Sequence, residues 1–282
     1  MAGYRDLTIQ DFLNRNARDF IRDRILESDA GLTPGAYDEF GTNLETTADI
    51  SAILLFLYRF YFRAELHGVE NLPPDGAGLI VSNHAPILPF DAAMIFISAL
   101  VEPERPRFIR TIINRSIASI PFGSYAIARC GQIIGCDENV RRIFERENII
   151  VVFPTGAEGD IHTIFNKYHV DKFTVGFMEY ALKHRTPIIP TIVTGSEEAA
   201  MTLGKIDTPL FGFKHLPITP VFPWLGLLGL IPFPSKFDIR IGPPVDYFTE
   251  HAADADSPEI VRELVENLRS IIINMLGEAL GK

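Results

Sequence analysis

Cysteine is nearly missing from this chain: Cys130 and Cys136 are the only two. Two cysteines cannot form the disulfide framework of a small secreted domain, so they are expected as reduced thiols in a reducing cytosol. Positive charge is also short, with 26 Lys and Arg against 36 Asp and Glu, a formal net charge of −10. That deficit excludes nucleic acid as the main partner, because phosphate neutralisation needs clustered cations. It also argues against simple electrostatic docking on an anionic bilayer. The opening MAGYRDLTIQDF has neither a basic n-region nor an apolar h-region, so no secretory signal is expected.

A long uninterrupted apolar run is lacking too. Ile50–Tyr58 stops at Arg59 and Arg63, far too short to span a bilayer. Leu216–Ser235 carries no charge over twenty residues, but Pro217, Pro220, Pro223, Pro232 and Pro234 break any spanning helix. That stretch reads as an apolar, irregular excursion, either a packed core loop or a surface that dips into lipid. What the chain does have is core material. It is 47% hydrophobic and 11% aromatic over 282 residues, which suits one sizeable domain and excludes disorder.

Residues 1–65 read as a helical N-terminal arm, open to membrane association. Thr8 and Asp11 begin a capping box ahead of Ile9, Phe12, Leu13, Phe20, Ile21 and Ile25. A second helix is predicted from about Thr46 to Phe62. Its aromatics Phe56, Tyr58, Phe60, Tyr61 and Phe62, with Arg59 and Arg63, suit an interfacial anchor or a helix core equally well. From residue 66 the pattern changes. Strand-like runs at 78–83, 106–111, 130–135, 148–154, 186–195 and 236–242 are interleaved with helical stretches at Ala92–Leu100, Asn139–Glu147 and Val175–His184. A final helix is capped by Ser257, with Pro258 in its first turn. This alternation predicts an α/β domain over 66–282, with a mostly parallel central sheet and helices on both faces.

The chemistry concentrates at Gly78–Asp91. An apolar strand runs into Asn83-His84, Pro86 and Pro89 forbid helix, and Asp91 opens an apolar helix. Ligands collect at the carboxyl ends of strands in such sheets, and a near-neutral imidazole there suits general-base work. Asp91, held ionised by the helix dipole, would fix the tautomer and stabilise the imidazolium. The alternative is an Asp91 that merely caps the helix and a His84 that is a satisfied turn residue.

This stretch resembles the His/Asp box of the glycerolipid acyltransferase superfamily, whose best-known members are the lysophosphatidate acyltransferases. The usual box has four residues between His and Asp; here there are six. Three further stretches resemble the later boxes in the same order. They are Val151–Gly159 (the Phe-Pro-Glu-Gly turn), Thr186–Glu198 (the proline-containing apolar strand) and Ile231–Val245 (the closing strand). The resemblance covers residues 65–247 and implies an acyltransferase α/β domain. In this reading His84 deprotonates an acceptor hydroxyl, which attacks the thioester of acyl-CoA or acyl carrier protein. Asn83, Thr155, Gly156, Glu158 and Arg129 are the candidate acceptor contacts. Backbone N–H groups near Asn83–Pro86 are the expected oxyanion donors. The resemblance further implies a lysophospholipid or related glycerolipid as acceptor, with lipid and acyl thioester as partners and peripheral contact at the inner face of a membrane from the cytoplasm.

Two departures fall on the acceptor side. The second-box Gly131 is followed six positions later by Asp137 where the family has an Arg, and Thr155 stands where it has Glu. Either the head group differs from lysophosphatidate or other cations grip it, the candidates being Arg129, Arg141, Arg142, Lys167 and Lys172. Arg105, Arg107, Arg110 and Arg115 suggest a basic face for head groups or coenzyme A phosphates, or simply a solvated face. No metal or organic cofactor is called for. His162 and His169, near Asp160 and Asp171, lack metal-ligand spacing, and no G-x-S-x-G elbow, P-loop or dinucleotide fingerprint is present. A lipid-binding or regulatory protein on the same scaffold, or an acyl thioesterase, are the competing readings.

Overall fold

Runs that are apolar at every position can form strands only if both faces of the sheet are covered, and the burial of successive residues follows that requirement. The computed structural model describes residues 3–85, 89–113, 128–155, 162–163, 166–210, 213–222, 224–226 and 231–281. The strands are β1 (Glu65–His67), β2 (Gly78–Ser82), β3 (Ile109–Ile113), β4 (Ile133–Ile134), β5 (Ile149–Val152), β6 (Ile188–Thr194), β7 (Gly204–Leu210), β8 (Phe213–Ile218) and β9 (Asp238–Ile241). The helices are α1 (Ile9–Leu13), α2 (Asn16–Glu27), α3 (Leu44–Phe56), α4 (Phe90–Val101), α5 (Asp137–Glu145), α6 (Gly176–Lys183), α7 (Ser196–Ala199), α8 (Phe248–His251) and α9 (Pro258–Ala279).

Seven strands form one sheet in the order β1-β9-β6-β2-β5-β3-β4, and β7 and β8 make a separate antiparallel hairpin. Within the sheet only the β6–β9 pairing is antiparallel. Side chains alternate between two cores, as the strand period of two demands. Ile80, Ile149, Val151, Ile189 and Val193 join one core with α2, α3 and α4. Leu79, Val81, Ile150, Val152, Ile188 and Ile192 join the other with α5, α6 and α9. Crossovers between parallel strands are right-handed, so helices must change face when the direction of travel reverses. The chain moves from β2 to β3 with α4 on one face, then returns through β5 to β6 with α5 and α6 on the other.

The N-terminal helices are built into the first core: Ile21, Ile25, Leu44, Ala48, Leu55, Tyr58 and Phe62 pack in it with Ile80 and Met94. The Thr8 capping box forms through Asp11 Oδ2, which accepts from the Thr8 N–H at 2.7 Å. The second helix begins at Leu44 rather than Thr46, because Asn43 Oδ1 caps it by accepting the Thr46 N–H at 3.0 Å. It ends at Phe56 in a widened π-type turn over Leu57–Tyr61, where the Phe62 N–H reaches Leu57 O at 2.7 Å. This turn splits the aromatic stripe. Tyr58 and Phe62 are fully buried, while Phe56 and Phe60 cluster edge-on with Phe12. Ser257 precedes α9 as expected but caps it with no side-chain bond; its carbonyl accepts the Val261 N–H at 3.0 Å.

The basic face does not form as one. Arg107 and Arg110 are buried, and each serves the interior. Arg107 Nε donates to Asp29 at 2.8 Å, and its Nη2 to the carbonyls of Gly76 and Glu147. Arg110 pairs with Asp38 at 2.6 Å and donates to Thr42 Oγ1 at 2.9 Å. Arg105 pairs with Asp75 at the surface, and Arg115 lies outside the described residues. Part of the predicted irregular excursion is ordered into β8, which takes Phe213–Ile218. Among the described residues, no helix is long and apolar enough to cross a membrane.

Candidate active site

Because β2, β5 and β6 are adjacent and parallel, their carboxyl ends reach the same edge of the sheet. Asn83 follows β2 directly, and its amide continues the ladder that the strand itself no longer makes. Nδ2 donates to Val193 O at 2.9 Å and Oδ1 accepts the Val193 N–H at 2.8 Å. The side chain thereby fastens the end of β2 to β6, and the buried amide is satisfied on both sides rather than offered to a ligand.

His84 comes next. Its Nδ1 lies 3.0 Å from Asp91 Oδ2, and the same oxygen accepts the Ala85 N–H at 2.7 Å. Asp91 is fully buried in the first turn of α4, where the helix dipole favours its charge. An ionised carboxylate only accepts, so Nδ1 carries the proton and the Nε2 lone pair is left to act as a base. The His84 side chain remains 23% exposed, enough for a substrate to reach it. Its ring lies against Phe153, with centroids 4.6 Å apart and planes inclined by 36°. The longer spacing of this box is therefore no obstacle to the pairing. No side chain caps α4, so Asp91 acts on the turn that carries His84 rather than as a helix cap. One expected oxyanion donor is already taken, since Ala85 N–H is bound to Asp91; Pro86 lies outside the described residues.

Thr155 stands half-buried just past β5, at the same edge as His84. Pro154 O accepts both the N–H and the hydroxyl of Thr174 at 2.9 Å, which ties down the turn. Gly156 and Glu158 lie outside the described residues. Arg129 is set elsewhere. Its carbonyl accepts from Asn43 N–H and Thr47 Oγ1 near the start of α3, and its guanidinium stacks on Tyr37 at 5.0 Å. Gly131 explains that placement. At φ +84° a Cβ there would come within 2.8 Å of the ring of Phe108, which precedes β3. This puts the segment at the amino edge of the sheet, opposite His84.

The other candidate cations are largely engaged. Arg141 pairs with Glu138 and Glu145, Arg142 with Glu138 and Glu39, and Lys167 with Glu198. Lys172 is exposed. Two contributors were not foreseen. Phe153 was part of the third-box turn, but its contact with His84 depends on β5 lying beside β2. A cluster around His162 and Glu197 gathers at the end of β6, and no regular spacing could have marked it.

Comparison with known proteins agrees with this geometry. A family model described as Acyltransferase matches residues 63–194. An uncharacterised protein of Mycobacterium tuberculosis is 35% identical over 248 residues, covering 86% of this chain and 69% of its own length. A chicken protein described as a DGAT1/2-independent enzyme synthesizing storage lipids is 26% identical over 223 residues, 77% of this chain and 64% of its own. The crystal structure of the 1-acyl-sn-glycerophosphate (LPA) acyltransferase PlsC from Thermotoga maritima shares the fold. It has a TM-score of 0.51 at 16% identity, covering 95% of this chain and 99% of that one. With a His–Asp pair, its carboxylate buried and its imidazole partly exposed, at the carboxyl edge of a seven-stranded sheet, the chain belongs to the acyltransferase family.

Proposed function

We propose that this chain transfers a fatty acyl group from a thioester, acyl-CoA or acyl carrier protein, to a hydroxyl of a neutral glycerolipid. The observation that carries the reading is the His84–Asp91 pair, partly exposed on one side and fully buried on the other. The acceptor hydroxyl approaches His84 Nε2, which takes its proton as the oxygen attacks the thioester carbonyl. Asp91 stabilises the imidazolium, and His84 returns the proton to the leaving thiolate. The thioester is already activated, so the residues need supply only base, orientation and charge stabilisation.

A neutral acceptor is favoured over lysophosphatidate for three reasons. Asp137 stands where the family's phosphate-binding Arg is expected, the nearby Arg141 and Arg142 are paired with carboxylates, and Thr155 replaces a charged residue. The chicken and cattle relatives carry names describing synthesis of storage lipids, which fits an acceptor without a phosphate.

Membrane contact follows from a lipid acceptor, and the uncharged Leu216–Ser235 stretch supports it. Trp224 is 77% exposed, Leu225 58% and Ile231 57%. An amphipathic Trp beside aliphatic side chains suits the bilayer interface. Binding that rests on apolar burial should survive high salt in a vesicle flotation assay.

Thiol release from oleoyl-CoA, measured with and without dioleoylglycerol, tests the reading. Release that depends on the acceptor supports acyl transfer to a neutral lipid. Release that ignores it indicates a thioesterase, and none indicates a binding protein.

A further inference from the structure

His162, His169 and Asp171 have no metal-ligand spacing, yet the fold gathers them against the segment that follows β6. His162 Nδ1 lies 2.8 Å from Glu197 Oε1, and its Nε2 lies 3.4 Å from Asp171 Oδ2. The other Glu197 oxygen accepts the Tyr168 N–H at 2.8 Å. Tyr168 is held at φ +58°, a conformation a bulky residue keeps only where its surroundings over-determine it. Its hydroxyl accepts the Gly195 N–H at 2.7 Å and donates to Glu198, which Lys167 also meets at 3.1 Å. Gly195 is irreplaceable in this corner: at φ +91° a Cβ would sit 2.0 Å from Lys236 O. The His162 and Glu197 side chains are 7% and 6% exposed, so this is a buried imidazole–carboxylate contact, ionic when His162 is protonated.

The location gives the contact its meaning. Tyr168 and Asp171, both tied to this cluster, lead to Thr174, which bonds Pro154 O next to Thr155. This segment thus ends beside Phe153, whose ring touches His84. Buried charges are costly unless paired, and here the pairing joins the loop of the third box to the end of the strand of the fourth.

We propose that His162 and Glu197 are positioning residues for the acceptor: by fastening the segment that Thr174 ties to Pro154, next to Thr155, they set how tightly the acceptor is held. They leave proton transfer at His84 alone. This rests on acyl transfer as the reaction. Among the described residues, the groups facing His162 are Glu197 at α7 and Asp171 and His169 from the preceding segment, with Tyr168, Lys167 and Glu198 beyond them. The hydrogen bond that His162 donates to Glu197 raises the His162 pKa above its ordinary 6.5. A raised value in the folded state means that the contact is at full strength below 6.5 and weakens as pH rises through the raised value. Acceptor KM should therefore rise with pH. The kcat limb of the profile reports proton transfer at His84, not this contact.

The test uses the full chain with oleoyl-CoA and dioleoylglycerol, over about pH 6 to about pH 9, a range that brackets histidine titration. In the wild type, acceptor KM is expected to climb on the alkaline side. His162→Gln keeps a neutral donor to Glu197, so its acceptor KM should be high at every pH, about tenfold above wild type at the acid end. Its kcat limb should be unchanged. Glu197→Gln should behave the same way. Melting curves of wild type and His162→Gln provide a second measurement free of catalysis: their gap should narrow as pH rises. A wild-type KM profile retained in His162→Gln, with an unchanging melting gap, overturns the proposal while acyl transfer stands. A wild type whose thiol release ignores the acceptor overturns the acyl-transfer reading and the proposal with it.

Discussion

The carboxylate of Asp91 meets the imidazole of His84 at 3.0 Å although six residues separate them. The contact arises because the strand β2 ends at Ser82 and the helix α4 begins at Phe90, so both residues lie beside the same turn. Replacing Asp91 by Asn keeps an oxygen for the Ala85 N–H but removes the charge that supports the imidazolium. The expected result is a fall in kcat of about 10²- to 10⁴-fold with the fold retained. Steady-state rates beside a melting curve check it. A variant with near-normal kcat would restore the view of Asp91 as a purely local structural residue.

Phe153 packs against the His84 ring with the planes inclined by 36°, a ring–ring contact that an aliphatic side chain of similar volume cannot reproduce. Phe153→Leu should lower kcat by about tenfold, corresponding to roughly 1.4 kcal/mol in the barrier, and leave donor KM near wild type. The split between kcat and KM is the readout.

Asn83 is positioned to hold β2 against β6 rather than to meet a ligand. Asn83→Ala strands the N–H and carbonyl of Val193 in a buried site. The expected loss of stability is about 1–3 kcal/mol, measured by urea unfolding. Activity at low temperature should fall through kcat, because His84 is the next residue in the chain.

Arg110 is an interior cation. Its side chain and that of Asp38 are 0% and 4% exposed, so removing one leaves the other charged and buried. Arg110→Met should cost about 3–5 kcal/mol, and adding Asp38→Asn should recover much of it. Donor KM in the folded fraction should not change, whereas a head-group or coenzyme A contact would raise it.

The sheet was legible where strands are apolar on both faces, the runs at 78–83, 148–154 and 186–195 containing β2, β5 and β6, and where charged and apolar residues alternate, the run at 236–242 containing β9. The edge strand β1 has only three residues, too few for its alternation to mark it. The β7–β8 hairpin carries Pro209 and Pro217 and a mixture of charged and apolar residues, so its pattern was hidden. At the site, His84 and Asp91 could be read because they are local. The roles of Asn83, Phe153 and His162 could not. Each depends on a partner that the strand order brings near: Val193 for Asn83, His84 for Phe153 and Glu197 for His162. The arginines misled for a related reason. Asp29 and Asp38, which neutralise Arg107 and Arg110, come from the segment between α2 and α3, more than seventy residues earlier.

The most direct measurement is single-turnover acyl transfer by His84→Ala. The account predicts a loss of about 10²- to 10⁴-fold, with an unchanged melting temperature and intact donor binding. Transfer at the wild-type rate by the folded variant would contradict it.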